Sequence, residues 1–230
     1  MILWHGKSSD DVGVIVERYP SVTIPTRKQE KISIPGRSGD LIIEQDAYEN
    51  YTQRYDIYVS AEQPRLTTVS HIVAEWLMMK GYQRYEDSYW ADTFRLACYK
   101  GGTSIENVLN RFGRATIEFD CKPQRYYKSG DLPLVIENGQ QLVNPSPFTA
   151  KPLLHIYGSG EGTVSDGTNT LTLTDCDDIT VDCDIMQLYQ GTTNKNNVGA
   201  GAFLALGKES TITWTGGITA VILTPRWWTI

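Results

Sequence analysis

Five aspartates, Asp175, Asp177, Asp178, Asp182 and Asp184, crowd one short stretch of the chain. Hard carboxylate oxygens at alternate positions are what Ca²⁺ selects. The stretch lacks the central glycine and distal glutamate of an ordered calcium loop. Asp182 and Asp184 instead alternate outward, as on the solvated face of a strand. Glu44 and Asp46 offer a second pair, of the kind glycoside hydrolysis needs. Two nearby positions on one strand end do not by themselves make a catalytic pair. The three histidines, His5, His71 and His155, stand at no metal-ligand spacing, and no Gly-x-Ser-x-Gly elbow is present. Gly36 and Gly39 enclose two residues in the manner of a phosphate loop. No helix follows to offer its N-terminus to a phosphate. The expectation is a protein with no catalytic residue, no cofactor and no metal.

Thiols and rings remain. Of the four cysteines, Cys98 and Cys121 fall in candidate strands, and Cys176 and Cys183 lie seven apart. None forms a C-x-x-C pair. Free buried thiols are the simpler reading, and a Cys176–Cys183 bridge is the other. The 13 tyrosines and six tryptophans suit either of two roles. Aromatic faces stack on sugars, and large rigid rings also anchor protein interfaces.

Charge narrows the partners. The 230-residue chain carries a net charge of −6, with 40% hydrophobic and 21% charged residues. An acidic protein has no surplus of basic side chains to neutralise phosphates or anionic lipid, so neither nucleic acid nor membrane is expected. No apolar run approaches the roughly 20 residues of a membrane span. Met1 to Gly6 runs into Ser9-Asp10-Asp11 and lacks the basic start of a signal peptide, so folding in a cytoplasm is expected.

The positioning elements are mostly strands. Val12, Val14 and Val16 alternate, and Val22 to Pro25 is short and extended. Ile32 and Ile34 share one face of an extended segment. Pro35 ends that segment, Gly36 and Gly39 turn the chain, and Leu41 to Ile43 resume it. Arg37 and Asp40 place opposite charges on the tip. Arg27 to Lys31 reads as a solvated lead-in, and Asp46 to Asn50 as a polar turn. Tyr55, Ile57 and Val59 then line one side of a strand. Leu66, Val69, Ile72, Val73, Trp76 and Leu77 recur at a helical period. That predicts a helix over 66–81, capped by Thr67 or Thr68 and closed at Lys80-Gly81. His71 at the edge of its stripe reads as a packed or surface residue. Strands over Phe94–Lys100 and Arg114–Cys121 follow, with Pro123 ending the second.

Asn138-Gly139 and Asn144-Pro145-Ser146-Pro147 look like a connector. Seven short alternating runs come after it: 153–157, 170–174, 179–183, 186–189, 203–206, 210–215 and 220–224. They predict an antiparallel sandwich. The expected organisation is a mainly β protein: an N-terminal β domain with one amphipathic helix over 1–137, a connector over 138–150, and a β-sandwich over 151–230. Trp227 and Trp228, near the chain end, are expected to pack down, against the first domain or a neighbouring subunit.

The order of these pieces resembles the distal tail protein (Dit) family of long-tailed bacteriophages, siphophage tail components. The matching residues begin with the hairpin Ile34-Pro35-Gly36-Arg37-Ser38-Gly39-Asp40-Leu41 and with Tyr55-Asp56-Ile57-Tyr58-Val59. They continue through Glu75-Trp76-Leu77, Gly81-Tyr82, Tyr89 to Tyr99, and Ile117 to Pro123. In the second half they are Asn144, Lys151-Pro152, Ile179 to Asp182, and Pro225-Arg226-Trp227-Trp228. The chain departs where Ala205-Leu206-Gly207-Lys208-Glu209 replaces an expected Pro-Gly and asparagine, which puts one turn in question. The resemblance implies a first domain, barrel- or sandwich-like, that closes into a hexameric ring, and a galectin-like β-sandwich outside it. The ring would be a structural hub of the tail tip or baseplate, joining the tail tube to the host-adsorption apparatus. It would be assembled in the host cytoplasm and carried at the virion tail tip. The implied partners are copies of itself, the tail tube protein and tail-tip or receptor-binding proteins. Pro35, Gly36, Arg37, Gly39, Asp40, Trp76, Arg226, Trp227 and Trp228 are the expected assembly contacts, with Arg37 and Asp40 meeting a neighbour or locking the hairpin's own base. The alternative is a carbohydrate-binding module that uses Trp214, Trp227 and Trp228 on host saccharides.

Overall fold

A computed structural model describes residues 1–60, 66–108 and 112–230. The chain is mainly β and divides into two compact units, Met1–Arg125 with Ile230, and Tyr126–Thr229. No helix is long and apolar enough to cross a membrane among the described residues.

The first unit is an antiparallel sheet with a helix packed on it. The strand order is Lys7–Ser8, Ile2–Trp4, Gln83–Asp87, Thr93–Tyr99, Phe112–Tyr127, Tyr51–Ser60, Val14–Val16. The long central pair runs from Phe112↔Ser60 to Cys121↔Tyr51. Strand side chains alternate between faces, so Tyr55, Ile57 and Val59 bury together with Ala115, Ile117 and Phe119. Trp4, Tyr85 and Phe119 pack ring against ring within this core. The helix Leu66–Leu77 adds Leu66, Val69, Val73, Trp76 and Leu77 to it. It stops four residues short of the expected end, because the buried stripe is exhausted at Leu77 while Met78 and Met79 face outward. Thr67 and Thr68 lie inside it and not at a cap.

Pro123 does not end its strand. The ladder to Tyr51–Ser60 stops at Cys121, so the missing N–H of Pro123 leaves no rung broken on that side.

The second unit is a β-sandwich. Its strand order is Leu134–Ile136, Glu209–Thr224, Leu153–Ser165, Ile179–Asp182, Gln187–Gln190, Thr193–Asn194. Gln140–Val143, within the stretch read as a connector, pairs with Glu209–Thr224 through Gln140↔Ile212 and so belongs to this unit. The expected runs 210–215 and 220–224 merge into the single strand Glu209–Thr224. Gly216 and Gly217 do not break it. They are where it crosses Leu153–Ser165 closely: a Cβ on Gly217 would lie 1.7 Å from the Ser159 carbonyl oxygen. The expected run 203–206 is not a strand but makes a bridge between Ala150 and Leu206.

The unusual turn at Ala205 has a local cause. The buried Asp166 carboxylate accepts N–H bonds from Thr168 at 2.8 Å, Asn169 at 2.7 Å and Ala205 at 2.7 Å. A proline at 205 would have no N–H for it. All four cysteines are free thiols, and Cys176 and Cys183 are buried.

Candidate assembly surfaces

Residues 27–48 form a two-stranded hairpin that pairs with nothing else among the described residues. Arg27–Ile32 and Leu41–Tyr48 meet with Ile32↔Leu41, Glu30↔Ile43 and Lys31↔Ile42. Opposed residues share a face, so Glu30, Ile32, Leu41 and Ile43 lie on one side and Gln29, Lys31, Ile42 and Glu44 on the other. The first side carries three apolar residues beside Glu30, yet Ile43 is 44% exposed and Leu41 40%, and Ile42 on the other side is 51% exposed. Nothing among the described residues covers these apolar groups.

The two strands are joined at their base by exposed contacts. Arg27 bonds to Glu44 at 3.4 Å and to the Tyr48 hydroxyl at 3.5 Å. The Glu49 N–H donates to the Thr26 carbonyl at 2.8 Å. A bulge between Lys28 and Gln29 accommodates Gln45 and Asp46, with Asp46 in the left-handed region at φ 48°. The expected polar turn at 46–50 is therefore partly strand.

At the tip, Gly36 and Gly39 take φ of 81° and 85°, and a Cβ at either would meet open space. Arg37 and Asp40 are exposed, and neither side chain has a partner among the described residues. They do not lock the base, which Arg27, Glu44 and Tyr48 hold. Pro35 is exposed beside them.

Trp76, Arg226, Trp227 and Trp228 sit elsewhere. Trp76 is 1% exposed, and its indole N–H donates to the Lys7 carbonyl at 3.2 Å. Trp227 is 6% exposed in the core of the second unit. Trp228 stacks on Phe148 with ring centroids 4.6 Å apart and donates to the Thr149 carbonyl at 2.9 Å. Arg226 pairs with Asp182.

The solvent face of the central pair carries a ladder of charges. Asp56 takes Arg18 and the Thr116 hydroxyl, Arg54 donates to Glu118 at 2.9 Å, and Lys100 stands 3.6 Å from Glu118. Hydrogen bonds from Arg18 and then Thr116 lower the Asp56 pKa, and that from Arg54 lowers Glu118. Asn50 donates to Asp120 at 2.9 Å. A shallow cleft beside the ladder is lined by Glu17, Asp56, Ser104, Glu106, Arg114 and Thr116. Its cation Arg114 is matched by Glu17 at 3.1 Å. These charges neutralise one another in pairs, and none has the shifted-apart partner that acid–base chemistry uses. Among the described residues no three metal-ligating side chains converge, the aspartates of 175–184 included.

No protein-family model matches this chain, and no curated protein matches it. Among solved structures it is similar to the SPP1 Dit (gp 19.1) protein, described as a paradigm of the hub adsorption apparatus in Gram-positive infecting phages. The TM-score is 0.76 at 13% identity, over 100% of this chain and 98% of that one. The fold of this chain, a β domain with one helix followed by a β-sandwich, is the fold of that Dit protein.

Proposed function

We propose that the chain is a structural hub subunit of a phage tail's adsorption apparatus, working by assembly and not by catalysis. The observation that carries this reading is the hairpin 27–48, which holds Ile32, Leu41, Ile42 and Ile43 in solvent on a fold that matches a Dit protein end to end. A single protein rarely maintains such a patch unless another chain covers it. In a ring of identical subunits each copy presents an arm and a different receiving surface, and the rotation closes the contacts. A hexamer that continues the tail tube and passes load to tail-tip or receptor-binding proteins is the arrangement we infer, located at the virion tail tip after assembly in the host cytoplasm.

Sizing by mass measurement and negative-stain microscopy tests it. Rings of six subunits are expected at high protein concentration. A strict monomer, alone and with its tail-tube neighbour, would overturn the reading. The carbohydrate-binding alternative gains nothing from the tryptophans named for it: Trp214 and Trp227 are buried, and Trp228 is stacked on Phe148. Titration of cell-wall saccharides against tryptophan fluorescence is expected to give no change.

A further inference from the structure

Within the first unit lies a buried cationic cluster. Arg95 and Arg125 each place a guanidinium 4.3 Å from a Trp90 ring centroid. Arg95 is 2% exposed and Arg125 6%. One carboxylate answers them. Asp87 Oδ2 accepts from Arg95 at 3.1 Å, from the Tyr55 hydroxyl at 2.6 Å and from the Tyr85 hydroxyl at 3.2 Å. Its Oδ1 accepts the N–H groups of Tyr89 at 3.0 Å and Trp90 at 2.9 Å. The Tyr85 hydroxyl also donates to that of Tyr55, and with Arg95, Tyr55 and two backbone N–H groups on its two oxygens Asp87 has no capacity left. Gln53 Oε1 is likewise taken, by Arg95 at 3.3 Å.

Arg125 is left short. It donates through Nη2 to the Thr23 carbonyl at 3.2 Å, and no carboxylate pairs with it among the described residues. Its buried Nε–H has no close hydrogen-bond partner among the described residues. The buried Tyr51 hydroxyl, near enough for Arg125 to act on it, finds no acceptor for its own O–H among the described residues. Burial raises the Tyr51, Tyr55 and Tyr85 pKa values and pushes the Cys121 thiol up to about 12, so no phenol or thiol supplies negative charge. Among the described residues the cluster therefore holds one positive charge in excess, with the Arg125 Nε–H and the Tyr51 O–H short of a close acceptor. An uncompensated buried charge is strongly destabilising, and orphaned buried donors mark a missing partner.

We propose that Arg125 Nε and Tyr51 Oη bind a small inorganic anion, of the size of chloride, against the Trp90 ring. The anion completes the set that fastens the segment leading to the hairpin, because the same guanidinium holds Thr23. A neutral water would satisfy the two donors but leave the charge unbalanced.

Bromide tests the site. Crystals of the full chain soaked in sodium bromide are expected to show an anomalous peak beside both Arg125 Nε and Tyr51 Oη. In solution, bromide is expected to raise the thermal midpoint saturably at constant ionic strength. Tyr51→Phe, which keeps the ring's packing, should need about fivefold more bromide for half of that rise, the loss of one hydrogen bond. Arg125→Gln should abolish the saturable part. A water-like density without anomalous signal at that position would overturn the proposal. So would an identical bromide response in the natural chain and in Tyr51→Phe.

Discussion

Arg226 reaches across 44 residues of sequence to grip Asp182 with two hydrogen bonds, Nη1 to Oδ1 at 2.7 Å and Nη2 to Oδ2 at 2.9 Å. Arg226 itself sits at φ 57°, a backbone region that side chains other than glycine seldom take, and its N–H donates to the Gly130 carbonyl at 2.7 Å. The fork of hydrogen bonds is what holds the residue there. Burial raises the Asp182 pKa, but the hydrogen bonds and charge of Arg226, with the N–H groups of Asp184 and Ile185, together outweigh it, and the net shift is downward.

Arg226→Ala is therefore expected to destabilise the second unit by about 2 kcal/mol, because a partly buried carboxylate loses its charged partner. Arg226→Lys should recover only part of that, since an ammonium cannot make the fork. Denaturant unfolding measures both. A depressed folded pKa stabilises above the unfolded value of about 3.9. This contribution is thus complete near neutral pH and is lost as the pH falls through the folded-state value. Arg226→Ala should accordingly flatten the acid limb of the stability curve.

Trp227 is locked from behind. A Cβ on Gly130 would lie 2.5 Å from the Trp227 backbone nitrogen. Gly130→Ala should therefore push Trp227 out of its seat, and Trp227→Ala should cost about 3–5 kcal/mol through the cavity it leaves. Thermal unfolding of the two variants should show both losses.

The hairpin is expected to behave in the opposite way. Ile43→Ser with Leu41→Ser removes apolar groups that are already exposed, so the monomer's stability should change by less than about 0.5 kcal/mol. Ring formation, read by mass measurement, should fall sharply. Arg37→Ala should weaken assembly in the same manner with an unchanged midpoint. Intact assembly in all of these variants would reduce the hairpin to a local turn.

The thiols should sort by burial. Cys121 and Cys183 are each pushed up to about 12 by burial, and Cys176 is raised for the same reason. At pH 8 a thiol reagent is expected to modify at most Cys98, the half-buried one, in the native protein and all four cysteines in denaturant. Rapid native modification of Cys121 or Cys183 would contradict the core described for its unit.

The sequence by itself determined the class of most elements. Strand alternation, the single helical stripe and the two-glycine turn depend on which neighbours in the chain share a face, and that is a local property. It also carried a signal that went unread. Inward positions of Phe112–Tyr127 are the odd-numbered ones, so Arg125 falls on the buried side of its strand, as Tyr51 and Gln53 do on theirs. A charge at an inward position calls for a buried partner.

Tertiary structure alone decided the rest. Nothing local says that the alternating hairpin 27–48 is left uncovered, because burial of a face depends on what else folds against it. The continuation of strands through Pro123 and through Gly216-Gly217 depends on the partner strand at those rungs. The pairing of Asp182 with Arg226, and the Asp87 set that leaves Arg125 and Tyr51 short of an acceptor, join positions far apart in sequence. Such relationships are set by the register of distant strands, which side-chain periodicity does not encode.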